Sequence, residues 1–151
     1  MQTLEVTRIR SPKEELYTPN YEDLMNEFYD PESSAPWYVA LRAVESFRDH
    51  HQGRYPGYTE SDIEKDLPLL KSEVNQIMQR VNPGNDPSIC LDDKYLIEMI
   101  RYSDSHIHNI SAFLGGVASQ EAIKLLIRQY TPMNHTFIYN GIQSKCQVFN
   151  V

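Results

Sequence analysis

The sequence predicts an α+β fold that is mainly α: a helical domain over residues 1–109, followed by a closing helix and a β-hairpin over residues 110–151. Two observations carry this. Apolar residues recur at helical spacing through four stretches between Ser33 and Tyr130, and two short alternating runs flank Asn140-Gly141 near the end. At 151 residues, 40% apolar and 23% charged, the chain has the material for a sizeable core without disulfides or metal.

The first elements are the least defined. "TLEVTRIR" alternates like a strand with Leu4, Val6 and Ile9 inward, and a helix is equally compatible with so short a run. "SPKEELYTPNYEDLMNEFYDPESS" suggests short helical pieces joined by turns, with Leu24, Met25 and Phe28 as one apolar face. "SSAPWYVALRAVESFRDHHQG" is a clearer helix, with Ser33 or Ser34 as N-cap and Pro36 in the first turn. Trp37, Ala40, Leu41, Val44 and Phe47 form its inward stripe, and Gly53 provides the stop.

After the turn "RYPGYT", a further helix starts near Ser61, where Ser61-x-x-Glu64 has the form of a capping box. Its stripe is Ile63, Leu67, Leu70, Val74, Ile77 and Met78, and Pro68 inside it predicts a kink or a break. The loop "VNPGNDPS" leads to a shorter helix bearing Tyr95, Leu96, Met99 and Ile100.

The last helix spans about Ile110 to Tyr130, and Pro132 is expected to end it. It carries Gly115-Gly116, although each Gly in a helix interior costs about 0.8–1.0 kcal/mol relative to Ala. At about 3.6 residues per turn, one face collects Ala112, Gly116, Ser119, Ile123, Leu126 and Tyr130, with Gly115 at its margin. The opposite face holds Leu114, Val117, Glu121, Lys124, Leu125 and Arg128. Small residues admit a close neighbour, so another backbone is expected across the glycines. One helix and one hairpin cannot bury each other's apolar surface, and an isolated hairpin is marginal in water. Residues 110–151 therefore imply a domain that is incomplete or completed by a partner.

Several function classes are disfavoured. A net charge of −7 and a pI near 5.2, without clustered Lys and Arg, argue against a broad nucleic-acid surface. No apolar run is expected to approach a membrane span, and "MQTLEVTRIR" lacks a signal-peptide apolar region, so the cytoplasm or nucleus is the expected location. Gly115-Gly116 has no phosphate-loop context, so no nucleotide cofactor is expected. Cys90 precedes the anionic Asp92-Asp93, Cys146 adjoins Lys145 on an expected strand, and both are expected to be ordinary thiols. His50-His51, His106, His108 and His135 lack the spacing and further ligands of a zinc site. Trp37, at a helix start, is either a core residue or an interface anchor.

"AFLGGVASQEAIKLLIRQY" followed by "TFIYNG" resembles the closing helix and strand of the adenylating domain in activating enzymes for ubiquitin-like modifiers, the ThiF-like superfamily. The matching positions are Gly115, Gly116, Ser119, Gln120, Glu121 and Lys124, with Ser119 where the family usually has Ala. "LRAVESFRDHHQGRYPG" is similar to a stretch of the regulatory subunits of neddylation activating enzymes. With "LEVTRIRS", the order of these segments extends the likeness over nearly the whole chain.

The resemblance implies the C-terminal portion of a non-catalytic, scaffolding subunit: the end of the helical domain, then the end of the adenylating fold. It implies no catalytic, cofactor or metal residues here, and a heterodimer with the catalytic subunit of the neddylation activating enzyme. Gly115, Gly116, Ser119, Gln120, Glu121 and Lys124 are the implied close-packing or interface residues; for Glu121 and Lys124 a simple surface pair is the competing reading. The alternatives are a truncated, inactive gene product, a piece of another modifier-activating enzyme, or an independent helical binding module.

Overall fold

The structure is a computed structural model that describes Ser11, residues 21–57 and residues 60–149. The strand or helix over residues 4–9 and most of the pieces before Tyr21 lie outside the described residues. Among these residues the order is α1 (Tyr21–Glu27), α2 (Ala35–His50), α3 (Glu60–Val81), α4 (Asp93–Tyr102), α5 (His108–Ile127), β1 (Thr136–Asn140) and β2 (Lys145–Phe149). Mainly helical, with one antiparallel hairpin at the end, the fold is α+β as the sequence predicts. The chain divides into one compact unit over Asn20–Ser105 and a second that includes His106–Val151.

In the first unit, α2 is the central helix and packs on both α3 and α4. Its stripe is wider than the spacing predicts: Ala35, Tyr38, Val39, Ala40, Ala43, Val44 and Phe47 are buried, while Leu41 is 46% exposed. Two packing partners bury a broader arc of α2 than a single neighbour would, and Leu41 falls outside it. Trp37 is half-buried and meets the Tyr95 ring of α4 edge-on at 4.7 Å. Leu24 of α1, Ile63, Leu70, Val74 and Val81 of α3, Ile89 of the loop after it, and Leu96 and Ile100 of α4 join them in the core.

The ends of α2 follow their local chemistry. Ser34 is the N-cap residue, but the Ala35 amide donates to Ser33 Oγ at 3.2 Å, and Ser33 Oγ donates to Glu27 at 3.0 Å. The helix closes where Gln52 and Gly53 take positive φ and the Gly53 amide donates to the Arg48 carbonyl at 2.8 Å.

Two expectations for α3 change. The helix already begins at Glu60, so Ser61 lies within its first turn and is not its cap. Pro68 does not break it: α3 runs through as one helix. Pro68 and Glu64 are both exposed, and Pro68 leaves the Glu64 carbonyl without its usual amide donor while the helix continues. Two acids on the buried side of α3, Asp66 and Glu73, also escape the apolar pattern. Asp66 accepts from Arg54 and from the Gly57 amide; Glu73 accepts from Ser46 Oγ at 2.6 Å and lies 3.0 Å from His50 Nδ1. The buried Asn82 organises the following loop, donating to the Asp86 and Ile89 carbonyls.

In the second unit, α5 ends earlier than expected. Arg128 enters the left-handed region at φ 54 and its amide donates to the Lys124 carbonyl, so the helix stops before Pro132 is reached. The hairpin pairs Asn140 with Lys145, so Asn140-Gly141 opens a longer loop and is not a two-residue turn. Asn140 Oδ1 accepts from the Ile142 and Gln143 amides there, and Ser144 adopts φ 52.

Candidate functional site

A helix that is apolar nearly all round is normally buried on all sides. None of the residues of α5 is buried. Its half-buried residues are Ile110, Val117, Glu121 and Lys124, which share one stripe. The hairpin lies on that side: the Phe113 and Tyr139 rings approach to 4.5 Å, and a Cβ at Gly141 would stand 3.0 Å from Ile110 Cδ1.

The other side is open. Ala112, Gly115, Gly116, Ser119, Ile123 and Leu126 are exposed, Leu126 to 82%. Among the described residues, no atom outside the helix lies within 4 Å of where a Cβ on Gly115 or Gly116 would stand. The backbone expected to cross the glycines is therefore not among the described parts of this chain. Ser119 Oγ donates to the Gly115 carbonyl at 2.7 Å, turning its hydroxyl back onto the helix. The result is a shallow surface of small residues beside Ile123 and Leu126.

The six residues singled out from the sequence thus separate. Gly115, Gly116 and Ser119 belong to the open face, and Gln120 is also exposed. Glu121 and Lys124 are engaged on the hairpin side: Lys124 Nζ donates to Glu121 Oε1 at 2.7 Å, and the Met133 amide donates to Glu121 Oε2 at 2.6 Å. Lys124 first, then the Met133 amide, holds the Glu121 carboxyl below its usual range. Spacing alone could suggest the Glu121–Lys124 pair. The Met133 contact depends on how the chain returns after α5, which no local pattern encodes.

One exclusion needs correction. At 20 residues with a mean hydropathy of 1.3, α5 is long and apolar enough to cross a membrane by length and composition. The opposed charges of Glu121 and Lys124 lie within it, and their bonding to each other and to Met133 suits a helix packed in protein. Cys90 and Cys146 are exposed free thiols, and among the described residues no three His, Cys, Asp or Glu side chains cluster as metal ligands.

No protein-family model matches the chain. It is 37% identical over 150 residues to a NEDD8-activating enzyme E1 regulatory subunit of Xenopus laevis, covering 98% of this chain and 27% of that protein. With the Arabidopsis thaliana NEDD8-activating enzyme E1 regulatory subunit AXR1 it is 33% identical over the same shares. A more distant relative, the ubiquitin-activating enzyme E1 1 of Candida albicans, is 26% identical over 147 residues, 91% of this chain and 14% of that protein. The chain thus spans about 27% of the length of the regulatory subunits it matches. Over that segment it is a homologue of the NEDD8-activating enzyme E1 regulatory subunits.

Proposed function

We propose that this chain acts as a non-catalytic docking element of the enzyme that activates a ubiquitin-like modifier for neddylation, and that it binds the catalytic subunit of that enzyme in the cytoplasm or nucleus. The observation that carries the reading is α5: apolar on nearly all sides, with no buried residue and with Gly115-Gly116 uncovered. Such a helix gains by receiving a close neighbour, because apolar area removed from water contributes about 25 cal/mol per Å². The identity with regulatory subunits over 98% of the chain supports the choice of pathway. Gly115, Gly116, Ser119 and Gln120 form the proposed contact face, while Glu121 and Lys124 support it from behind.

The test is co-expression with the catalytic subunit followed by size exclusion. A one-to-one complex is expected. Separate elution, with residues 108–149 exchanging amide hydrogens freely in both samples, would overturn the reading.

A further inference from the structure

Between α5 and β1 the chain reverses through residues 128–135, and three features set its path. Arg128 closes the helix in the left-handed region at φ 54. Pro132 fixes its own φ, lacks an amide donor and biases Thr131 toward extended backbone. The Met133 amide then donates to Glu121 Oε2 at 2.6 Å, across a sequence separation of 12. A backbone N–H bonded to a carboxylate is stronger than one bonded to a neutral acceptor. Beyond it, the hairpin rests on the helix through Tyr139 against Phe113 and Gly141 against Ile110, near the start of α5. Glu121 thus fastens the beginning of the hairpin, and Phe113 and Ile110 hold its far end.

We propose that Glu121 is a positioning residue: its carboxylate straps the Met133 amide to α5, seats the hairpin on the Phe113 side and leaves the Gly115–Gly116 face free. Lys124 steadies the carboxylate through its other oxygen, at 2.7 Å. The consequence for docking rests on the function proposed above; the strap itself does not. A partner seated on the glycine face need not contact Glu121 for Glu121→Ala to weaken binding.

Amide exchange and proton NMR on the whole chain test the strap. Glu121→Ala is expected to speed exchange at Met133 and across Thr136–Asn140 by about tenfold or more. Glu121→Gln keeps an acceptor oxygen and should recover most of that protection, and Lys124→Met should cost less than Glu121→Ala. In the unsubstituted chain, the Met133 amide proton should move as the Glu121 carboxyl is titrated with acid, and that response should vanish in Glu121→Gln. Unchanged exchange in Glu121→Ala, or a Met133 resonance insensitive to the titration, would overturn the strap. If the unsubstituted chain fails to bind the catalytic subunit while these exchange and titration results hold, only the docking reading falls.

Discussion

Arg54 meets Asp66 in a two-point ion pair, with Nη1 2.8 Å from Oδ2 and Nη2 2.9 Å from Oδ1. Asp66 Oδ2 also accepts the Gly57 amide at 2.8 Å, so one carboxylate on α3 fixes the turn that follows α2. The Asp66 side chain is 6% exposed and that of Arg54 50%. The guanidinium also lies over the Phe47 ring at 5.0 Å. Arg54→Lys should therefore not be conservative: an ammonium cannot reproduce the fork. Asp66→Ala should cost about 1–3 kcal/mol, because it leaves the Gly57 amide and the guanidinium without their acceptor. Urea unfolding of both variants checks this, with Arg54→Lys falling between Asp66→Ala and the unsubstituted chain.

The same pair sets an acid dependence. Arg54 first, then the Gly57 amide, holds the Asp66 carboxyl below its usual range. The unfolded chain therefore takes up the Asp66 proton at a higher pH than the folded chain does. The contribution is fully present above the unfolded value, about 3.9, and is lost as pH falls through the lower folded value. Stability measured from pH 6 down to pH 2.5 should decline less steeply in Asp66→Asn than in the unsubstituted chain.

The glycines should respond in opposite directions. A Cβ at Gly57 would stand 2.5 Å from Asp62 Cβ, so Gly57→Ala should destabilise the turn and lower the midpoint. Gly115 and Gly116 meet nothing within 4 Å outside their helix, so Gly→Ala at either should stabilise the isolated chain. The gain should be about 0.8–1.0 kcal/mol each. Thermal melting of the three single variants gives the signs directly.

Helices α2 to α4 and the hairpin were legible because each carries a repeating pattern, and α5 because it is a long apolar run before Pro132. Stripes such as Ile63–Leu70–Val74 and Leu96–Ile100 are local properties of the chain. What escaped was set by neighbours distant in sequence. Asp66 and Glu73 look like solvent-facing acids until Arg54, Gly57, Ser46 and His50 are brought to them. Pro68 signals a break, but it sits on the exposed side of α3 and the helix runs through it. Within the candidate site, the spacing of small residues gathers Gly116 and Ser119 on one face, but it predicts a backbone across them, which the described residues do not supply. The turn of Glu121 toward Met133 does not, since it depends on the path after Arg128.

Gly116→Leu separates the two roles of the glycine face in one measurement: the melting midpoint of the chain alone, read beside its co-elution with the catalytic subunit of the neddylation activating enzyme. A leucine at 116 meets no atom within 4 Å of its Cβ outside the helix and replaces a poor helix former with a good one. A midpoint unchanged or raised, together with loss of the complex, is the predicted result. A complex that survives Gly116→Leu would contradict close docking on this face.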